Sequence, residues 1–378
     1  MNKKKSQYLI DWGIIIVFLL LMCCSWIKHD LWEKTTYIAP VFVFFALSIL
    51  FLNHVSLIHC IIFKDKEFYL MCGGILLGAL NMILVKSGIG AIFTLADFFL
   101  ILYLANKIHF DSLQLGVIAF SCFLIWIFWQ FGGYSVIGNS AFNTNGLSLI
   151  IFSCFCIVTC YLSYIWSLNS ALQKQLYILI LIVLLYFLST KVFFFRSRGV
   201  LAAIFTWIIT FIFIPKKKFM IVTVLGISLF LPAFYVYLWK SGILSNISIL
   251  GKHLMSGGDR DIIWYEFFNV FIQHPITGIG SNFEQMLPNL YTKEAHHALL
   301  DLLFVHGIPV FCIVLYFFYK RISDIVAVAS NTVSTICLAS IYGMLAAGTF
   351  ENYYIVSPYN ILLFTIFLIF NAYNICIK

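Results

Sequence analysis

Charged residues are scarce in this sequence: Asp, Glu, Lys and Arg make up only 10% of its 378 residues, whereas 62% are hydrophobic. Because soluble domains carry about 25% charged residues, this composition excludes a soluble globular protein. Intervals long enough for a separate soluble domain are also missing, since the apolar runs follow one another closely. The sequence therefore predicts an all-α, polytopic membrane protein in which residues 1–378 form one integral membrane domain.

No C-x-x-C pair occurs among the eleven cysteines, and all eleven lie in or beside apolar runs. This distribution supports neither a disulfide framework nor a zinc site, and the thiols are expected to pack as small apolar groups. The net charge of +8 does not require a nucleic-acid partner, because an excess of Lys and Arg in short loops is the usual signal of membrane orientation.

Long apolar runs are abundant. A hydrocarbon core about 30 Å thick requires roughly 20 apolar residues of helix, and about twelve such runs occur along the chain. The first follows a basic head but lacks an A-x-A cleavage site, so it is interpreted as an uncleaved helix rather than a signal peptide. The runs centre near Val17, Phe44, Leu76, Phe99, Ile125, Phe155, Val183, Trp207, Leu229, Val314, Leu338 and Leu363.

The distribution of basic residues predicts the orientation of these spans. With twelve spans and a cytoplasmic N-terminus, thirteen of the 23 Lys and Arg residues lie on the cytoplasmic side. The basic turns 215–218 and 320–321 both fall inside, as the positive-inside rule requires, and the uncharged connector 132–146 falls outside. This orientation places most polar residues of interest on the outer face.

One long loop is expected on that outer face, from about residue 240 to 297. Long loops in compact proteins are usually functional. Within the loop, residues 262–273 carry apolar side chains on most helical turns, which predicts an amphipathic helix that lies in the membrane interface. Pro275, Gly278 and Gly280 follow and are expected to end this helix.

Three arginines lie on the same predicted face. Arg196 and Arg198 precede Gly199 between spans seven and eight, and Arg260 begins the loop helix. A planar guanidinium gives phosphate two parallel charge-assisted hydrogen bonds. Boundary arginines also reach lipid headgroups, but outer loops are normally poor in arginine. We therefore predict functional roles for Arg198 and Arg260, with Arg196 as a further candidate for substrate binding.

Histidines at the mouth of the tenth span suggest acid–base chemistry. His296 and His297 follow the acidic Glu294, and His297 lies four residues before Asp301, so those two side chains are expected to share a helical face and to hydrogen-bond. An imidazole near water can accept a proton from a sugar hydroxyl. Glu351, in the last outer connector, could join this site as a substrate-binding residue.

Two further acidic features give weaker signals. The sequence DRD at 259–261 resembles a metal-holding D-x-D pattern, but acidic residues also favour the start of a helix, so we expect no metal. Asp97 lies within the fourth apolar run, where an acid suggests function, yet it has no evident partner in the sequence.

Three segments of the chain, residues 196–203, 259–283 and 295–311, carry the motifs described above in a fixed order. Together they resemble the O-antigen ligase and O-antigen polymerase superfamily of bacterial envelope glycosyltransferases. Two positions depart from the family pattern: His297 replaces the usual Asn, and the turn 307–311 lacks a second glycine. The matching residues are Ser197, Arg198, Gly199, Arg260, Trp264, Pro275, Gly278, Gly280, His296 and Gly307.

The resemblance implies a GT-C-like helical fold and a glycan donor carried on undecaprenyl pyrophosphate. The acceptor hydroxyl would displace the pyrophosphate with inversion at the sugar, without a metal or nucleotide cofactor. Arg198 and Arg260 would stabilise the charge that grows on the pyrophosphate. His296 would orient or deprotonate the acceptor, with His297 assisting.

The resemblance leaves the acceptor open. An O-antigen polymerase would use another lipid-linked repeat unit, an O-antigen ligase would use lipid A–core, and a flippase for lipid-linked glycans remains a further alternative. We favour the polymerase because the chain is short and its outer loop modest. The implied location is the bacterial inner membrane, with the active site facing the periplasm. The implied partners include a chain-length regulator protein.

Overall fold

The structure is a computed structural model that describes residues 3–27, 29–56, 60, 64–132, 144–166, 171–213, 218–242, 248–249, 252–253, 260–282, 287, 295–328 and 332–377. The predictions for Asp259, Glu294 and most of the segments 132–146 and 215–218 lie outside these residues, as does the side chain of Asp261.

Thirteen helices and one short antiparallel strand pair lie in the described part of the chain. The helices are α1 Lys3–Ile27, α2 His29–His54, α3 Lys66–Leu84, α4 Ile89–Leu104, α5 Ser112–Phe131, α6 Thr144–Ile165, α7 Ala171–Phe195, α8 Arg198–Phe213, α9 Lys218–Lys240, α10 Arg260–Phe271, α11 Ala298–Ala327, α12 Thr332–Gly348 and α13 Asn360–Ile377. The strands are β1 Ser248–Ile249 and β2 Lys252–His253.

Each of the twelve predicted apolar runs has its centre in a helix, so the all-helical prediction is confirmed. By length and composition, seven helices of the described chain are able to cross a membrane: α1, α3, α5, α6, α7, α9 and α11. The other five predicted spans form shorter apolar helices or segments. The count of about twelve spans and the GT-C-like arrangement therefore stay predictions.

Large apolar side chains on the outside of the bundle indicate a lipid environment. Leu172, Phe213 and Phe230 are each at least 74% exposed, and exposure on this scale is not stable in water over a wide surface. In contrast, α6 and α12 are buried along nearly their whole length and form the centre of the bundle, where α8 packs against α12. The chain is a multi-pass membrane protein.

Polar contacts are concentrated at the two ends of the bundle. At one end, Glu67 forms ion pairs with Lys320 and Arg321, and Asp111 caps α5 in a capping box with Gln114. At the other end, hereafter the site end, lie the turn 85–88, residues 196–199, 273–282 and 295–297, and the connector 349–359. The predicted loop helix is confirmed as α10, which belongs to the site end.

The glycine loop, residues 273–282 after α10, packs against a break in α11. Gly307 interrupts α11 with a φ of 80° and a ψ of 168°. The Ile308 amide donates to the Pro275 carbonyl at 2.8 Å, and the Ile279 amide donates to the Phe304 carbonyl at 2.7 Å. These hydrogen bonds, together with the close backbone approach at Gly278 and Gly307, fix the position of α10 against α11.

Gly307→Ala is expected to destabilise the protein by about 3 kcal/mol or more. Its φ of +80° disfavours a side chain, and an added Cβ would lie 2.1 Å from the Ile276 carbonyl oxygen. Thermal unfolding of the purified protein in detergent should show a clear fall in Tm. Gly226→Ala is the matched control, because its Cβ would meet no atom within 4 Å; equal losses for both variants would contradict the close approach.

Candidate functional site

Arg198 and Arg260 line the same cleft at the site end. The cleft has a volume of about 610 Å³, which lies within the usual range of about 300–1,000 Å³ for ligand pockets. Most of its wall is apolar, and the charges of the two arginines repel each other. The lining residues are Ser189, Arg198, Leu201, Ala202, Ile204, Phe205, Ile208, Tyr235, Arg260, Trp264 and Phe350.

The apolar part of this cleft runs along one face of α8. Leu201, Phe205 and Ile208 follow Arg198 at helical spacing, and the distance along the helix from Arg198 to Ile208 is about 15 Å. The cleft thus has a charged mouth at the site end and an apolar wall that extends towards the middle of the bundle.

The turn between α7 and α8 places Arg198 in the cleft and Arg196 outside it. Arg196 adopts a φ of +53°, and its side chain is exposed and does not contribute to the lining of the cleft. A Cβ on Gly199 would lie 2.9 Å from Phe350 Cβ. The glycine of the S-R-G motif therefore lets the connector 349–359 approach the start of α8.

Arg260 is positioned by the packing of α10 on α11. Phe304 of α11 contacts Phe267 and Phe271 at ring-centroid distances of 5.3 Å each. The buried Trp264 indole donates a hydrogen bond to the Ala295 carbonyl at 2.8 Å. These contacts hold the first turn of α10, and hence Arg260, beside the start of α11.

Glu351 connects Arg260 to His296. Its Oε1 accepts hydrogen bonds from Arg260 Nη2 at 2.7 Å and from Asn145 Nδ2 at 3.1 Å. Its Oε2 lies 3.4 Å from His296 Nδ1. The three predicted residues Arg260, His296 and Glu351 are thus brought together, and Asn145 at the start of α6 is a contact that the sequence analysis missed.

His296 has a backbone conformation that turns its side chain towards this group. Its φ is +49°, a left-handed conformation in which His occurs more often than most residues. The neighbours Ala295 and His297 are both completely buried. Because the chain reverses at His296, its ring is partly exposed and faces Glu351 while both neighbours point into the protein.

His297 is buried and fully engaged with the backbone, which differs from the substrate contact expected from the sequence. Its Nδ1 accepts the Leu300 amide at 3.1 Å and caps α11, and its Nε2 donates to the Ser228 carbonyl at 2.8 Å. The Ser228 carbonyl would normally accept the amide of the residue four positions later in α9. That residue is Pro232, which has no N–H. Burial lowers the pKa of His297 to about 4, so the ring is neutral.

The predicted hydrogen bond between the side chains of His297 and Asp301 is wrong, because both ring nitrogens of His297 have backbone partners. Asp97, for which the sequence showed no evident partner, has one in the structure. Its buried carboxylate accepts a hydrogen bond from Ser357 Oγ at 2.5 Å, and Asn360 in turn donates to Ser357. These partners lie some 260 residues away in sequence, which is why the sequence did not reveal them.

Comparison with known proteins gives one family match. Residues 183–315 match the family model described as O-Antigen ligase. The matched region includes Arg198, Arg260 and His296, whereas Glu351 and Asn145 lie outside it. No curated protein matches the chain. Residues 183–315 are thus similar to the O-antigen ligase family, which confirms the resemblance of the chain to the O-antigen ligase and O-antigen polymerase superfamily.

Proposed function

We propose that this protein is an O-antigen polymerase, a glycosyltransferase that joins repeat units carried on undecaprenyl pyrophosphate. The observation that supports this proposal most strongly is the cleft that pairs Arg198 and Arg260 with an apolar wall along α8. A diphosphate attached to an isoprenoid chain has the same two parts, one doubly charged and one apolar.

The arginine cleft suits the donor in charge and in shape. Two like charges in a mostly apolar cleft repel each other, and an anion that binds both converts this repulsion into attraction. Each guanidinium can donate two parallel hydrogen bonds to phosphate oxygens. The apolar side chains of Leu201, Phe205 and Ile208 would contact the first isoprenyl units.

The reaction forms one bond and breaks one. The acceptor hydroxyl oxygen forms a bond to C1 of the donor sugar while the bond from C1 to the diphosphate oxygen breaks, with inversion at C1. His296 takes the hydroxyl proton, and the bonding electrons leave with the diphosphate. Arg198 and Arg260 stabilise the negative charge that develops there.

Glu351 would contribute both to proton transfer at His296 and to the position of Arg260. Its carboxylate orients the His296 ring and stabilises the imidazolium that forms on proton transfer, as an acidic partner does for catalytic histidines in general. It also holds Arg260 at 2.7 Å. A diphosphate at Arg260 competes with Glu351 for that guanidinium, so donor binding would shift Glu351 towards His296.

The remaining predicted residues act from the edge of this site. We propose that Arg196 contacts headgroups or donor phosphate from outside the cleft, since its side chain is exposed. His297 fixes the start of α11 and so supports His296 without touching substrate. The active site would face the periplasm from the bacterial inner membrane, where a chain-length regulator protein could act on the product.

The acceptor separates the polymerase from its nearest alternative, an O-antigen ligase that transfers the glycan to lipid A–core. The family model is shared by both activities and does not distinguish them. The flippase alternative is not favoured, because the charged side chains that converge here lie at one end of the bundle rather than along a path through it.

Deletion of the gene tests the choice of acceptor. Loss of a polymerase should leave lipopolysaccharide that carries a single repeat unit, which a gel resolves as one band above the core. Restoration of the ladder by the wild-type gene is the control. Bare core with accumulating lipid-linked polymer would instead identify the ligase, and an unchanged ladder would contradict both activities.

A further inference from the structure

A second cavity lies next to Glu351 and is distinct from the arginine cleft. It has a volume of about 170 Å³ and is formed by α4, the glycine loop, α11 and the connector 349–359. Phe350 lines the arginine cleft, whereas Asn352 lines the second cavity. Glu351 therefore lies between a residue that lines one cavity and a residue that lines the other.

The two cavities differ in chemistry. The second cavity is lined by a carboxylate from Asp301, an amide from Asn352 and hydroxyl groups from Thr94 and Ser281. None of its described lining residues is Lys or Arg, so it is unsuited to a diphosphate. A carboxylate, an amide and hydroxyls are the groups that pair with the many donors and acceptors of a sugar ring.

Two residues that line this cavity each have a buried polar atom that lacks a hydrogen-bond partner within the described structure. The atoms are Asn352 Oδ1 and His306 Nδ1. A buried acceptor without a partner costs free energy, and such atoms call for a ligand or ordered water. The volume is on the order of ten times the roughly 15 Å³ that one water molecule requires, so the space admits a larger polar group.

Asp301 links the second cavity to the proposed reaction centre. Asp301 accepts the Ala295 amide at 3.4 Å and a hydrogen bond from the Asn352 side chain, and it interacts electrostatically with His296. His296 is in turn paired with Glu351. A sugar held by Asp301 and Asn352 would consequently place a hydroxyl near the imidazole that removes its proton.

We propose that this second cavity binds the terminal sugar of the acceptor glycan. The proposal rests on the proposed function, because it assigns the acceptor to one side of Glu351 and the donor diphosphate to the other. Hydroxyl groups of the sugar donate to Asn352 Oδ1 and to the Asp301 carboxylate, while Thr94 and Ser281 contact the rest of the ring. The choice of acceptor sugar is set by these side chains.

The test fills the cavity and measures donor and acceptor affinities separately. The purified full-length protein receives lipid-linked repeat unit as donor and the repeat-unit oligosaccharide, freed of its lipid, as soluble acceptor. Ala91→Trp places an indole in the cavity. Ile89→Trp, at a position 72% exposed on the same helix, is the matched control. Inhibition by undecaprenyl pyrophosphate reports the donor cleft.

Ala91→Trp is expected to raise the acceptor KM by about tenfold or more, with the inhibition constant of undecaprenyl pyrophosphate unchanged. Thr94→Val keeps the shape of the side chain and removes its hydroxyl, so it should raise the acceptor KM about fivefold with kcat nearly constant. Ile89→Trp should match the wild type in both constants.

The outcomes separate this proposal from the function on which it rests. An acceptor KM that stays at the wild-type value in Ala91→Trp overturns the acceptor subsite, while the glycosyl transfer of the wild type still stands. If Ala91→Trp does not fold, judged by size-exclusion chromatography, an unchanged KM in Thr94→Val overturns the subsite. A wild type that forms no glycosidic bond overturns both.

Discussion

Replacement of either arginine in the cleft by alanine should lower kcat by about 10³-fold or more. Arg198→Ala and Arg260→Ala each remove a guanidinium that stabilises the departing diphosphate in a mostly apolar cleft. The measurement is glycosyl transfer by purified protein under single-turnover conditions, so that product release does not mask the chemical step.

The free energy of unfolding should respond differently from kcat in Arg198→Ala. Arg198 and Arg260 repel each other in the protein without substrate, so Arg198→Ala removes an unfavourable interaction and should leave Tm unchanged or slightly raised. The double variant should lose little more activity than either single variant, because the two guanidinium groups act on the same diphosphate as a unit.

Two comparisons sharpen the arginine prediction. Arg198→Lys keeps the charge but loses the planar fork, so it should recover only part of the lost activity. Arg196→Ala removes an exposed arginine two residues away that does not line the cleft, and it should reduce kcat less than tenfold. Equal losses for Arg196→Ala and Arg198→Ala would show that only general positive charge matters at this end of the bundle.

The second large effect is expected at His296. His296→Asn should lower kcat by about 10²–10⁴-fold, the range for loss of a general base. Asparagine is chosen because it tolerates the left-handed conformation that His296 adopts with its φ of +49°, so the chain should still reverse between Ala295 and His297. The measurement is kcat as a function of pH, together with inhibition by undecaprenyl pyrophosphate.

The pH profile distinguishes catalysis from a structural effect. In the wild type, kcat should fall on the acid side, where the imidazole is protonated and cannot accept the hydroxyl proton. His296→Asn should lose this acid limb and keep the wild-type affinity for undecaprenyl pyrophosphate, because Arg198 and Arg260 are untouched. An acid limb that persists in the variant would assign the proton acceptor to another group.

The sequence was informative where function depends on neighbours along the chain. Ser197, Arg198 and Gly199 are adjacent, and this local pattern drew attention to Arg198, which the structure places in the cleft. Periodicity likewise predicted the loop helix: it was expected at 262–273 and is found at Arg260–Phe271. In both cases one element of local structure fixes the geometry.

Contacts between distant segments could not be predicted in the same way. Asn145 lies 206 residues from Glu351, and its contact depends on how α6 packs beside the last connector. The role of His297 depends on the Ser228 carbonyl, which is available because Pro232 lies one helical turn further along α9. Pro232 was a usable signal for a free carbonyl, but its partner is set only by the packing of α9 against α11.

His297 also accounts for a departure from the family pattern, in which Asn is usual at this position. A neutral imidazole has one nitrogen that accepts and one that donates, and here the acceptor caps α11 while the donor reaches the Ser228 carbonyl. The longer ring therefore connects α11 to α9 as well as capping it. His297 contacts only backbone groups in these two hydrogen bonds, so it leaves the proposed chemistry unchanged.

A structure of the protein with undecaprenyl pyrophosphate bound, determined in lipid nanodiscs, tests the central claim most directly. We expect the diphosphate between Arg198 and Arg260, with guanidinium nitrogens about 2.7–2.9 Å from its oxygens, and the isoprenoid chain along α8. A diphosphate at the opposite end of the bundle, beside Lys320 and Arg321, would contradict the proposed site.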